Sequence, residues 1–225
     1  MANNMEMMTA LEIYEKLLHT YGRPRWWSDD PYVVMVQAIL VQHTAWASVE
    51  KVTSSLGNDL SPEKIAGLRE ERLIERIRPC GFGKAKAAAI QRLTMWYKNY
   101  QYDPEILRKK EKGELRSELL RIKGIGEETA DVLLTFAFHK PSFVVDEYTR
   151  RFLGRLGYTF ENDKQIRAFF ESGLPADYRI YGWYHWLILD HGIQRCKKTP
   201  LCEDCCFQEC MFSVNSAVTN LKGGK

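Results

Sequence analysis

The chain has no apolar run approaching the roughly 18–20 residues that a helix needs to cross a bilayer, and no internal repeat. Its opening segment, MANNMEMMTALEIYEKLL, has neither the basic n-region nor the unbroken apolar stretch of a secretory leader. These absences set the expectation of a soluble, intracellular protein. Charge of one sign is also lacking: 32 Lys and Arg against 29 Asp and Glu leave a net charge of only +3. That excludes a histone-like polycation, but not a local basic face. Strand material is scarce, since the two β-like patches at residues 142–145 and 158–160 are too short to build a sheet. Cysteine is almost absent from most of the chain, with Cys80 standing alone before Cys196. The other five, Cys196, Cys202, Cys205, Cys206 and Cys210, fall within fifteen residues. A disulfide scaffold would spread its bridges through a small secreted domain, whereas thiols clustered in an intracellular chain point to a metal or metal cluster.

What is present reads as an all-α protein. Apolar residues recur at helical spacing at Leu11, Ile13, Tyr14, Leu17 and Leu18, and again at Val33, Val34, Val36, Ile39 and Leu40. Ser61-Pro62-Glu63-Lys64 is a helix start, with Ser as cap and Pro in the first turn. Further helical stretches are predicted at residues 68–77, 85–97, 114–122 and 127–138. Interruptions fall at Gly22-Arg23-Pro24, Arg78-Pro79-Cys80-Gly81, Gly124-Ile125-Gly126 and Ser172-Gly173-Leu174-Pro175, and the last dozen residues read as a loose tail.

Residues 115–152 carry most of the chemistry. One apolar helix runs into Gly124-Ile125-Gly126, and a second opens at Glu127. Two glycines around an apolar plug permit a tight turn and leave backbone N–H groups free, at a helix start, for a phosphate oxygen. An ordinary glycine-capped helix turn would look the same. After the second helix comes Val144-Val145-Asp146, followed by Arg150 and Arg151. Asp146 is either a helix cap or a reactive carboxylate.

Taken with their order and separation, these segments resemble the helix-hairpin-helix, Gly/Pro-rich-loop, aspartate superfamily of DNA glycosylases, of which endonuclease III is a familiar member. Residues 39–44 resemble the segment that carries the duplex wedge, and 79–86 the glycine-containing turn before a Lys-bearing helix. Residues 120–130 resemble the hairpin, and Val144-Val145-Asp146 the segment with the catalytic aspartate. The run from Leu187 through Cys210 resembles the approach to an iron–sulfur loop. The resemblance implies a two-lobed fold, with residues 29–138 as a six-helix domain holding the hairpin. Residues 1–28 and 139–225 would form a second helical domain with Asp146 and the cluster loop. It further implies a monomer that acts on double-stranded DNA containing a damaged base, in the cytoplasm at a bacterial or archaeal nucleoid.

One departure bears on mechanism. Lyase-competent members carry a lysine two residues beyond the second hairpin glycine, and here that position is Glu128. A carboxylate cannot form a Schiff base, and Lys123 sits on the other side of the turn. The resemblance therefore implies a monofunctional glycosylase, most similar to the 3-methyladenine DNA glycosylase III branch. Asp146 would stabilise oxocarbenium charge and orient or deprotonate water. Trp27 and Trp46, with Trp26 and Glu128, would form the base pocket, because indole faces suit a cationic alkylated purine. As neighbours on a regular helix, Trp26 and Trp27 could not point the same way, so one is expected to face a cleft. Gln42 would fill the gap left by a flipped nucleotide, and His43 would meet the opposite strand.

Phosphate contacts are expected from Gly124, Ile125, Gly126, Lys123 and Lys84, and from the basic run that includes Arg72, Arg76, Arg78, Lys86 and Arg92. Cys196, Cys202, Cys205 and Cys210 would bind a [4Fe-4S] cluster. Their first and last gaps are each one residue shorter than in endonuclease III, so Cys206 remains an alternative to Cys205, and zinc an alternative to iron. The competing functions are a glycosylase for uracil, hypoxanthine or a mismatched base, and a non-catalytic binder of DNA structure.

Overall fold

The structure is a computed structural model that describes residues 7–208 and 210. The expected tail lies outside these residues. Among them there are helices and turns but no strand, and no helix is long and apolar enough to cross a membrane. The segments at 142–145 and 158–160 have no regular secondary structure.

The chain divides into two compact units. The first contains Met1–Arg25 and Phe143–Lys225. Its helices are α1 (Ala10–Tyr21), α10 (Glu147–Leu156), α11 (Asp163–Gly173) and α12 (Tyr178–Gln194). The helix α1 opens on a capping box, in which Glu12 N–H donates to Thr9 Oγ1 while Thr9 N–H donates to the Glu12 carboxylate. Its apolar stripe, Ala10, Ile13 and Leu17, packs in the same core as Phe143, Phe152, Phe170 and Tyr184. Phe143 and Phe170 stack with centroids 3.8 Å apart. Tyr184, fully buried, donates its hydroxyl to Ala10 O at 2.9 Å, which satisfies its polar end.

The second unit is Trp26–Ser142. It holds α2 (Pro31–Leu40), α3 (Trp46–Leu56), α4 (Pro62–Gly67), α5 (Glu70–Ile77), α6 (Gly83–Lys98), α7 (Pro104–Lys109), α8 (Lys112–Leu120) and α9 (Glu127–Val132). That is eight helical segments rather than six, because α4 and α7 are short Pro-initiated turns. Ser61 caps α4 as its sequence predicts, and Asp30 caps α2 ahead of Pro31. The unit is built around α2, which is buried nearly all round and has no polar face to expose. The predicted 127–138 helix is α9 followed by a π-helical turn over Leu133–Ala137.

Candidate active site

The hairpin consists of α8, the turn at 121–126 and α9. Ile125 is buried between the helices as the plug, while Lys123, Gly124, Gly126 and Glu128 are exposed. Gly124 adopts φ +105°, and a Cβ built on it would lie 2.6 Å from Ala89 Cβ of α6. Glycine is therefore required there twice, by backbone conformation and by close approach. Arg92 of α6 donates to Lys123 O at 3.2 Å, fixing the same turn. On its other side, Gln42 Nε2 donates to Gly124 O (3.3 Å) and to Thr129 Oγ1 (3.0 Å). Arg116 holds the two hairpin helices together through the fully buried Asp131, at 2.9 Å from Oδ1, which also accepts from Ser142 Oγ. Gly126 is the N-cap of α9 and supplies no side-chain acceptor, so the first amides of α9 have no cap.

Beside the hairpin, the 40–44 and 78–86 segments are locked by a residue that the sequence places elsewhere. Lys86, expected on a phosphate-binding face, is only 3% exposed. Its ammonium donates to Leu40 O (2.9 Å), Cys80 O (2.8 Å) and Thr44 Oγ1 (2.6 Å). All three of its protons are thus used inside the protein, and it is not a DNA contact. Arg72 and Arg76 are also committed, to Glu75 and Asp59. Lys84, in the first turn of α6, stays exposed. The segments Lys86 locks hold two residues in left-handed conformations, His43 (φ 52°) and Phe82 (φ 49°), with rings 6.2 Å apart. Phe82 is 69% exposed, the largest exposure among the large apolar side chains of the described residues. It is a candidate the sequence motifs do not single out. Its signal is an aromatic residue in a glycine-flanked turn, where a buried role is difficult.

Trp26 and Trp27 do not lie on a helix. They belong to the irregular segment before α2, and both rings reach Phe136 of the π-helical turn, with centroids 5.0 and 5.3 Å away. The helical premise of that expectation is corrected on this ground. Trp27 also meets Trp46 edge-to-face at 5.6 Å, so the two expected pocket residues are brought together. Gln37, nearly buried on α2, accepts from Trp27 Nε1 at 2.7 Å and donates to Thr53 Oγ1 at 3.3 Å. Its role is not legible in sequence, because a Gln on an apolar helix carries no sign of its partner.

In the other unit Asp146 is 8% exposed and caps α10. Its Oδ1 accepts from Thr149 N–H (2.7 Å) and Thr149 Oγ1 (2.8 Å). The cap reading and the reactive reading are therefore compatible: one oxygen is bound, and Oδ2 has no hydrogen bond within the described residues. The preceding segment is held from α12 by His185, which is hydrogen-bonded to the Val144 backbone. Burial pushes the His185 imidazole below its ordinary pKa, against the opposing pull of the Asp146 carboxylate and the Val144 bond. α12 approaches α10 closely at Gly192, where a Cβ would lie 2.4 Å from the Tyr148 ring.

Further along α10, Arg151 Nε donates to Cys196 O (3.0 Å), and Arg155 donates to Cys196 Sγ (3.1 Å) and to Lys197 O and Lys198 O. Arg151 is accordingly turned to the cysteine loop, and Arg150 is paired with Asp163. Cys196, Cys202, Cys205 and Cys210 line one shallow recess open to solvent, with Arg155 and Arg195 on its wall. Cys206 does not line it. Burial raises the Cys196 thiol pKa, but hydrogen bonds from His191 and Arg155 prevail and hold it below the usual value. Four thiols, one with its pKa held below the usual value, and two guanidiniums suit an anionic thiolate-ligated cluster. Among the described residues no three His, Cys, Asp or Glu side chains stand close enough to chelate one ion.

A helix-hairpin-helix with a plugged, glycine-bounded turn, followed by a half-satisfied aspartate, defines the class of helical DNA glycosylases. The family model of the HhH-GPD superfamily of base excision DNA repair proteins matches residues 36–176, and the chain belongs to that superfamily. A provisionally named DNA repair glycosylase of Methanocaldococcus jannaschii is 41% identical over 218 residues, covering 94% of this chain and 98% of that one. The crystal structure of the H. pylori 3-methyladenine DNA glycosylase bound to 1,N6-ethenoadenine superposes with a TM-score of 0.73 at 26% identity, covering 83% of this chain and 98% of that one. A covalent endonuclease III–DNA intermediate superposes with a TM-score of 0.79 at 22% identity, over 94% and 100% of the two chains, which shows the fold. The protein is a DNA glycosylase of base excision repair that binds DNA.

Proposed function

We propose that this glycosylase is monofunctional and hydrolyses the N-glycosidic bond of a flipped alkylated purine, such as 3-methyladenine, in double-stranded DNA. The observation that carries the reading is the pair of acids: Asp146 with one oxygen unbonded, and Glu128 exposed in the lysine position. The N-glycosidic bond breaks with its electron pair going to the base. An N-alkylated purine is already cationic, so it departs neutral without needing a proton. The Asp146 carboxylate stabilises the sugar cation, and water adds at the anomeric carbon and gives up its proton to the Asp146 carboxylate. No amine attacks, so the product is an abasic site with an intact strand. Trp27 and Trp46 offer indole faces for the cationic base, with Trp26 and Glu128 as further pocket residues. Support for the substrate class comes from the likeness to the H. pylori enzyme.

Gln42, His43 and the exposed Phe82 are assigned to the gap and wedge, since an apolar side chain inserted in a base step compensates unstacking. The Ile125 N–H is used inside the turn, donating to Ile122 O at 3.0 Å, so the backbone at Gly124 and Gly126 and the start of α9 is assigned to phosphate, with Ile125 as the plug and Lys123 and Lys84 as cations. Cys196, Cys202, Cys205 and Cys210 would hold a [4Fe-4S] cluster that staples the loop onto Arg151 and Arg155 of α10. Bound there, the cluster supplies structure rather than chemistry. The protein acts alone, as a monomer.

The test is a panel of duplexes, each bearing one damaged base and scored for strand breaks before and after alkali. Excision of alkylated purines with breaks only after alkali is the expected result, and breaks without alkali would disprove the monofunctional assignment. For the ligand set, Cys205→Ser is expected to remove the visible thiolate-to-iron absorbance and most of the bound iron, while Cys206→Ser keeps both. Zinc in place of iron would overturn the cluster assignment.

A further inference from the structure

The chain contains its own controls for what a helix cap requires. Asp30, Asp103 and Asp177 cap α2, α7 and α12, and each accepts only from backbone N–H groups two or three residues on. Their third residues into the helix are Val33, Ile106 and Ile180, whose side chains have no proton to give. At α10 the cap is again satisfied by backbone, from Thr149 N–H to Asp146 Oδ1 at 2.7 Å. A second donor is then added: Thr149 Oγ1 reaches the same oxygen at 2.8 Å. The polarity is the reverse of the box at α1, where the third residue, Glu12, brings the carboxylate and the cap brings the hydroxyl. Thr149 is fully buried, so its hydroxyl has no water to turn to. Being β-branched, it is restricted at χ1 and holds its donor still.

We infer that Thr149 is a positioning residue for the glycosylase reaction, fixing Asp146 by Oδ1 so that Oδ2 is the oxygen presented to the reacting sugar and water. One bond to a carboxylate leaves it able to rotate and exchange its two oxygens. Two donors converging on one oxygen from one residue define which oxygen is bound and the plane of the group. Oδ2, without a hydrogen bond among the described residues, keeps its lone pairs for water and its charge for the sugar cation. His185, through the Val144 backbone, holds the peptide that carries the carboxylate, and Thr149 holds the carboxylate itself.

The inference rests on the assignment of Asp146 as the reacting carboxylate, and the experiment separates the two. Thr149→Val keeps shape and backbone N–H but removes the hydroxyl, and Thr149→Ser keeps the hydroxyl. Excision is measured under single turnover at saturating enzyme on a duplex with one 3-methyladenine, alongside the affinity for a duplex bearing a tetrahydrofuran abasic analogue. Thr149→Val is expected to slow excision about tenfold or more, the scale of a misplaced reacting group, with affinity within about twofold. Thr149→Ser is expected to stay within about threefold of the parent rate, since the donor survives with a freer rotamer. Should Thr149→Val lose its helical circular dichroism, Thr149→Ala takes its place with the same outcomes. A parent rate in the hydroxyl-free variant, or an equal loss in Thr149→Ser, overturns the positioning role alone. No excision by the parent protein on any duplex of the panel would overturn the functional assignment and this role with it.

Discussion

Asp146→Asn is expected to lower base excision by about 10²–10³-fold, the usual scale for removing one group aimed at transition-state charge, while leaving the fold and DNA affinity nearly intact. The substitution separates the two roles that this residue combines. As a cap, Asn is about as good as Asp, and its amide oxygen can accept from Thr149 N–H and Oγ1 as Oδ1 does now. As a stabiliser of a sugar cation, Asn has no charge and cannot take a proton from water. Single-turnover excision read against thermal melting therefore distinguishes chemistry from structure. Asp146→Ala would confuse them, because losing the cap acceptor itself costs about 1 kcal/mol. Unchanged excision by Asp146→Asn would place the reacting carboxylate elsewhere.

The hairpin glycines should behave as opposites. Gly124→Ala places a Cβ 2.6 Å from Ala89 Cβ at a residue with φ +105°, and neither side can yield without moving α6 or the turn. A cost of about 2–4 kcal/mol in urea denaturation is expected from strain and overpacking together, with loss of DNA affinity as the Gln42 and Arg92 anchors shift. Gly126 has an ordinary negative φ (−92°), and a Cβ placed on it would meet nothing within 4 Å. Gly126→Ala should leave stability within about 0.5 kcal/mol, yet weaken duplex binding several-fold by keeping a phosphate from the amides of α9. Fluorescence anisotropy with labelled duplex measures the second effect. Full affinity in Gly126→Ala would remove that turn from the phosphate contacts.

How far the sequence reaches depends on whether a feature is local. The helices α1 and α2, the Ser61 cap, the plugged turn and the cap at Asp146 all follow from residues within a turn or two of one another. Where partners come from afar, the sequence misleads or is silent. Lys86 sits among basic residues on a helix and looks like one more of them, and only three acceptors from Leu40, Thr44 and Cys80 make it internal. A helical lattice misplaces Trp26 and Trp27, because their segment adopts none, so their convergence on Phe136 is out of its reach. Phe82 is legible in principle, since a left-handed aromatic at a helix start has few places to go but outward. The choice between Cys205 and Cys206 requires knowing which of two neighbouring side chains lines the recess with Cys196, Cys202 and Cys210, and the sequence does not carry that orientation.

The division of the chain also sets an order of events during synthesis. Trp26–Ser142 is one uninterrupted stretch and can condense as soon as it leaves the ribosome, whereas α1 belongs to the unit completed by Phe143 onward. Its Ala10 carbonyl meets Tyr184 across 174 residues, which at ribosomal speed is a delay on the order of 10–30 s. Until then α1 must keep its stripe of Ile13 and Leu17 out of the wrong company. The capping box between Thr9 and Glu12 favours helix locally in the segment that has longest to wait.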